Sequence, residues 1–232
     1  MKIEFFHDVI CSFCFPMSDR MRSIKKELPE LTIIHKSYAL GWEPEDFIAM
    51  FGSREAVKSE VLTHWSHANE NDERHRFNIE GMKQTSFDFP TSKNGLLAAK
   101  AAGMIGNQED YWEVFDKLQE GLFIRSLDIE ECAVIETLIK ETSIDFEKWF
   151  VQFNNPETEE AVRQDLALAA AYGLQGVPAL VVNGKYLISG AQPKEVIIQT
   201  LVSLMEKESA PLEEINTNAE ACHFDNDKWT CD

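Results

Sequence analysis

Residues 2–7, KIEFFH, are a short apolar run that leads into a cysteine pair, Cys11-Ser12-Phe13-Cys14. With Ile3 and Phe5 on one face and Phe6 on the other, the run reads as a buried strand. A helix is expected from the cysteines to Leu28, where Pro29 stops it, and Pro16 falls early enough that its missing N–H is tolerated. LTIIHKSYAL (31–40) has the β-branched and aromatic content of a second strand. Strand, helix, strand is a crossover unit, so the two strands should be parallel and the CxxC should lie where the first strand meets the helix.

From Pro44 to Gly173 the apolar spacing is mostly helical. Tyr111, Val114, Phe115, Leu118 and Leu122 fall three or four apart, and so do Ile129, Cys132, Ile135, Leu138 and Ile139. Two apolar runs, 179–182 and 185–188, then flank Asn183-Gly184, a strong type I′ hairpin signal, and PKEVIIQTLVSLMEKE supplies a last amphipathic helix. The expected fold is α/β: a thioredoxin fold, β-α-β…β-β-α, with an inserted all-helical lobe. Residues 1–43 and 174–208 form the thioredoxin-like domain and 44–173 the inserted helical domain. Residues 209–232 form an acidic extension with two more cysteines, Cys222 and Cys231.

A formal charge of −18, from 40 acidic and 22 basic residues, repels phosphate backbones and anionic bilayers. Neither nucleic acid nor membrane is therefore an expected partner. The opening MKIEFFHDVICSF lacks the long apolar stretch and small-residue cleavage site of an export signal, so a cytoplasmic location is expected. Structural disulfides are rare in that compartment, and a close cysteine pair there is more often catalytic or metal-binding.

At a strand-to-helix junction, the unpaired N–H groups of the first helical turn favour a thiolate. Cys11, expected at the exposed cap, would attack a disulfide, and Cys14 would resolve the mixed disulfide. Two plainer readings compete. Cys11 and Cys14 could be half of a zinc site completed by Cys222, His223 and Cys231, although the Cys222-x8-Cys231 spacing is unlike that of a finger or ribbon. They could also be small core residues. The strand-helix context favours redox chemistry, with no metal. Pro178 heads the third strand, and standing alone would be an ordinary entry residue.

Taken together, the CSFC motif, TSKNGLLAAKAAG (91–103) and YGLQGVPALVVNGKYLISGAQPKEV (172–196) resemble the DsbA class of thioredoxin-like proteins, in particular its FrnE-like branch. The resemblance covers most of residues 1–206. It implies a cis peptide bond at Val177–Pro178, with that loop against the CxxC and the Val177 backbone free to pair with an extended substrate. Ser12-Phe13 departs from the Pro-His or Pro-Trp frequent in relatives, so the redox direction does not carry over. FrnE-like relatives can carry extra C-terminal cysteines, which makes Cys222 and Cys231 a candidate accessory redox pair.

The expected function is thiol–disulfide exchange on a protein or small-molecule substrate by a monomer or homodimer. The redox-active disulfide would serve as the only cofactor, with glutathione a candidate co-substrate. Rival readings are a glutathione-dependent isomerase-like enzyme of the same fold and a DsbA-like protein-binding adaptor. Phe13, between the cysteines, is expected to be exposed and to contact substrate. Cys132 is expected in the core, and His64 and His67 are expected on a solvated helix face. His7 is expected to hydrogen-bond backbone or to pair with the thiolate.

Overall fold

The computed structural model describes residues 1–208, 222–225 and 228–231. Strand β1 (Lys2–His7) leads through a turn into helix α1 (Cys14–Glu27), and β2 (Thr32–Ser37) follows. Eight helices come next: α2 (Pro44–Phe51), α3 (Arg54–Asn71), α4 (Ile79–Gln84), α5 (Lys93–Ile105), α6 (Gln108–Gln119), α7 (Cys132–Ile139), α8 (Phe146–Phe153) and α9 (Pro156–Ala171). A π turn, Glu120–Ile124, extends α6. Strands β3 (Ala179–Val182) and β4 (Tyr186–Ser189) precede α10 (Lys194–Glu208).

The sheet order is β2-β1-β3-β4, with β1 parallel to β2 and antiparallel to β3. The hairpin forms as Asn183-Gly184 requires. Lys185 N–H donates to the Val182 carbonyl at 3.0 Å, and both central residues have positive φ, 51° and 66°, which asparagine and glycine tolerate. Central β1 is buried on both faces from Ile3 to His7, so its reading as a near-continuous apolar run follows from position.

Helix α1 starts at Cys14, three residues later than the cysteine pair suggests, because residues 8–14 first make two tight turns. Cys11 N–H donates to the Asp8 carbonyl at 3.1 Å, and Cys14 N–H to the Cys11 carbonyl at 3.0 Å. Large apolar side chains fill the core. Trp65, Trp112 and Trp149 are fully or almost fully buried, with Trp149 Nε1–H paired to the Ala98 carbonyl at 2.9 Å. Asp165 of α9 anchors the helices to the sheet, accepting from Ser37 N–H at 3.0 Å, from Lys36 Nζ at 2.8 Å and from Lys100 Nζ.

Two compact units divide the chain, Met1–Ile198 and Gln199–Asp232. In the second, β5 (Cys222–Asp225) and β6 (Lys228–Cys231) pair antiparallel in a register that sets Cys222 opposite Cys231. The side chains of Cys222, His223 and Cys231 lie outside the described residues, and so do residues 209–221, 226, 227 and 232 of the acidic extension. No helix among the described residues is long and apolar enough to cross a membrane.

Candidate active site

Cys11 and Cys14 are joined by a disulfide, their Cα atoms 5.2 Å apart. The backbone N–H of Cys14 points at Cys11 Sγ from 3.2 Å, so the donor that opens α1 faces the sulfur on which a thiolate would form. From the other side the Val177 carbonyl oxygen stands 3.6 Å from Cys11 Sγ. The Val177–Pro178 peptide is cis. Residues 166 apart in sequence thus meet at one sulfur.

Cys11 is only 4% exposed, where an exposed cap was expected, and Cys14 is fully buried. The turns before α1 draw the sulfur down into an apolar cleft of about 210 Å³. Its walls are Ile10, Phe13 and Val177 beside the disulfide, and Leu40, Phe47, Met50, Phe51, Val61 and Phe89 from the helical stretch and its lead-in. Phe13 is half-buried as one of these walls, not freely exposed. His64 of α3 also lines the cleft and, with Cys11, supplies its titratable side chains. His64 and His67 are both exposed, as their spacing on a solvated face suggests, and no sequence pattern signals that the fold also brings His64 to the rim of the cleft.

Asp8, three residues before Cys11, ties the site together. Its carboxylate accepts from Ile10 N–H at 3.1 Å, Leu40 N–H at 2.6 Å and the Ser92 hydroxyl at 2.6 Å. Burial pushes its pKa up to about 6 against the opposing pull of these donors. His7 binds neither backbone nor sulfur through its side chain. Its Nε2 lies 3.2 Å from His35 Nδ1, and Phe115 packs over its ring with centroids 3.8 Å apart.

Cys132, expected in the core, is exposed. It is the first residue of α7, and the buried stripe begins a turn later with Ile135, Leu138 and Ile139. Burial and the nearby Glu136 and Glu131 push its thiol up, which makes it a poor nucleophile. Among the described residues no cluster of His, Cys, Asp or Glu side chains is placed to hold a metal.

A four-stranded mixed sheet with a CxxC disulfide at the start of its first helix and a cis-proline loop against the sulfur defines a thioredoxin-like fold. The chain belongs to the DSBA-like thioredoxin domain family, which it matches over residues 2–202. Comparison with curated proteins returns no significant match. Solved structures of similar fold include a candidate protein disulfide isomerase from Nitrosomonas europaea, with TM-score 0.74, 19% identity, and coverage of 90% of this chain and 98% of that one. A candidate DsbA oxidoreductase from Streptomyces coelicolor gives 0.68 and 22%, covering 99% and 98%. The cytosolic disulfide reductase DsbM from Pseudomonas aeruginosa gives 0.68 and 16%, covering 88% and 100%, and has also been solved with GSH.

Proposed function

We propose that the protein is a protein disulfide oxidoreductase in which Cys11 is the nucleophile and Cys14 the resolving residue. The observation that carries this is the Cys11–Cys14 disulfide set between the Cys14 N–H and the Val177 carbonyl, with an apolar cleft opening onto Cys11. In the reducing direction the Cys11 thiolate attacks a substrate disulfide, forming a mixed disulfide and expelling one substrate thiolate. The Cys14 thiolate then attacks Cys11 Sγ, expelling the second and leaving the enzyme oxidised and the substrate reduced. The same steps reversed oxidise a substrate dithiol.

Phe13 and Val177 shape the approach to the sulfur, and Pro178 presents the Val177 carbonyl to an extended substrate. Glutathione is the proposed small-thiol co-substrate, a reading supported by the likeness to DsbM with GSH. A cytoplasmic setting is proposed, a reading supported by the likeness to the cytosolic disulfide reductase DsbM. Residues 44–173 are proposed as a helical insertion into a thioredoxin-like frame formed by 1–43 and 174–208. Cys222 and Cys231 are proposed as an accessory pair, a reading supported by their opposed backbone positions.

Cys11→Ser tests the assignment. It should abolish glutathione-coupled reduction of a mixed-disulfide peptide, while Cys14→Ser should accumulate a covalent enzyme–peptide disulfide. Undiminished turnover by Cys11→Ser would contradict the proposal.

A further inference from the structure

Helix α6 runs beneath the end of β1 with three residues spaced four apart. Tyr111 stacks on His35 with centroids 5.2 Å apart, and Phe115 packs on His7 at 3.8 Å. Gln119, one turn further on, is fully buried in the position that an aliphatic side chain would ordinarily take. Its Nε2 lies 3.4 Å from each of three backbone carbonyl oxygens, those of Asp8, Val9 and Cys11. Three converging acceptors fix which end of the amide faces them, since a carbonyl oxygen there would meet only other oxygens.

Two further observations show that this arrangement is not simple core filling. Gln119 Oε1 is buried with no hydrogen-bond partner among the described residues, which costs stability that a leucine would not. Immediately after Gln119 the helix widens into the π turn Glu120–Ile124, an irregularity that recurs where a helix aims a side chain at a functional site.

We infer that Gln119 is a positioning residue for the nucleophile, clamping the Cys11 carbonyl from below and turning the positive end of its amide dipole toward the loop that carries the thiolate. The inference rests on the proposed role of Cys11. The Cys11 carbonyl already accepts from Cys14 N–H at 3.0 Å, so Gln119 holds the nucleophile's peptide unit from a second side. A dipole oriented this way favours the anionic reduced form over the neutral disulfide, which makes the pair more oxidising. Gln119 thereby lets the helical stretch influence a sulfur that it does not touch.

The test is the redox equilibrium of the full chain with glutathione buffers, for wild type, Gln119→Met and Gln119→Glu, together with urea unfolding of each. Methionine keeps the length and removes the dipole, while glutamate replaces the donor with a carboxylate. Both variants should shift the equilibrium toward the disulfide by tenfold or more, equivalent to about 30 mV more negative for a two-electron couple. If Gln119→Glu does not fold, Gln119→Met decides. A variant equilibrium within twofold of wild type, whatever happens to the urea midpoint, would overturn the inference. Failure of wild-type Cys11 and Cys14 to titrate at all would instead remove the reading on which it rests.

Discussion

His7 and His35 face one another across the β1–β2 pair, Nε2 to Nδ1 at 3.2 Å, with both rings closed off from solvent. Burial, reinforced by the positive charges of Arg22 and Lys100, holds His35 down to about 3, and burial with the neighbouring His35 holds His7 well below its ordinary value. Both are neutral in the folded protein near neutrality and protonate freely once unfolded. The contribution of His35 to stability is therefore complete above about pH 6.5 and is lost as pH falls toward 3, and that of His7 declines in the same direction. For His35 the fall should approach about 1.4 kcal/mol per pH unit across that window. Urea unfolding at intervals from pH 7 to pH 4 should show this decline, and His35→Phe should remove one histidine's share.

Asp8 opposes that trend. Its folded pKa, about 6, lies above the ordinary 3.8, so the folded state holds a proton that the unfolded state has released. Its contribution is present below pH 3.8 and lost as pH rises through 6, on the order of 3 kcal/mol in total. Asp8→Asn should therefore gain stability relative to wild type as pH rises from 4 to 7. A constant difference between the two proteins over that range would contradict the burial argument.

Gly95 of α5 sits against Val9, two residues before the nucleophile. A Cβ at Gly95 would lie 2.5 Å from Val9 Cγ2, too close without movement of the loop. Gly95→Ala should lose about 1–3 kcal/mol of stability from overpacking, partly offset by about 1 kcal/mol of helix propensity. It should also slow disulfide exchange, because the residue displaced belongs to the Cys11 turn. Paired urea and stopped-flow measurements separate the two effects.

Removing the segment after Glu208 addresses Cys222 and Cys231. If they exchange with the first pair, truncation should change turnover and the Cys11–Cys14 potential together. Unchanged values of both would leave them without a part in the exchange.

Much of this fold is written in local pattern. KIEFFH, the Asn183-Gly184 turn and the CxxC each specify their structure through neighbours in sequence, so strand limits and hairpin conformation follow closely. The resemblance added the cis Val177–Pro178 bond, which no local pattern dictates. What the sequence conceals depends on contacts between distant segments. His64 reaches the rim of the cleft because the fold sets α3 along it, and His7 meets a histidine 28 residues away. Cys132 shows the converse limit of periodicity, since a residue on an apolar stripe is exposed when the helix begins there. Gln119 did leave a trace, a polar residue four beyond Phe115 on a buried stripe, though its three carbonyl partners lie more than a hundred residues earlier.

The most direct test of the central claim is a redox titration of the full chain in glutathione buffers, with the cysteine pairing at each potential read by non-reducing peptide mapping. The account predicts a reversible Cys11–Cys14 disulfide with a midpoint between roughly −120 and −270 mV, the range of exchange catalysts of this type. A pair that stays reduced across the range, or that stays oxidised throughout, would contradict it.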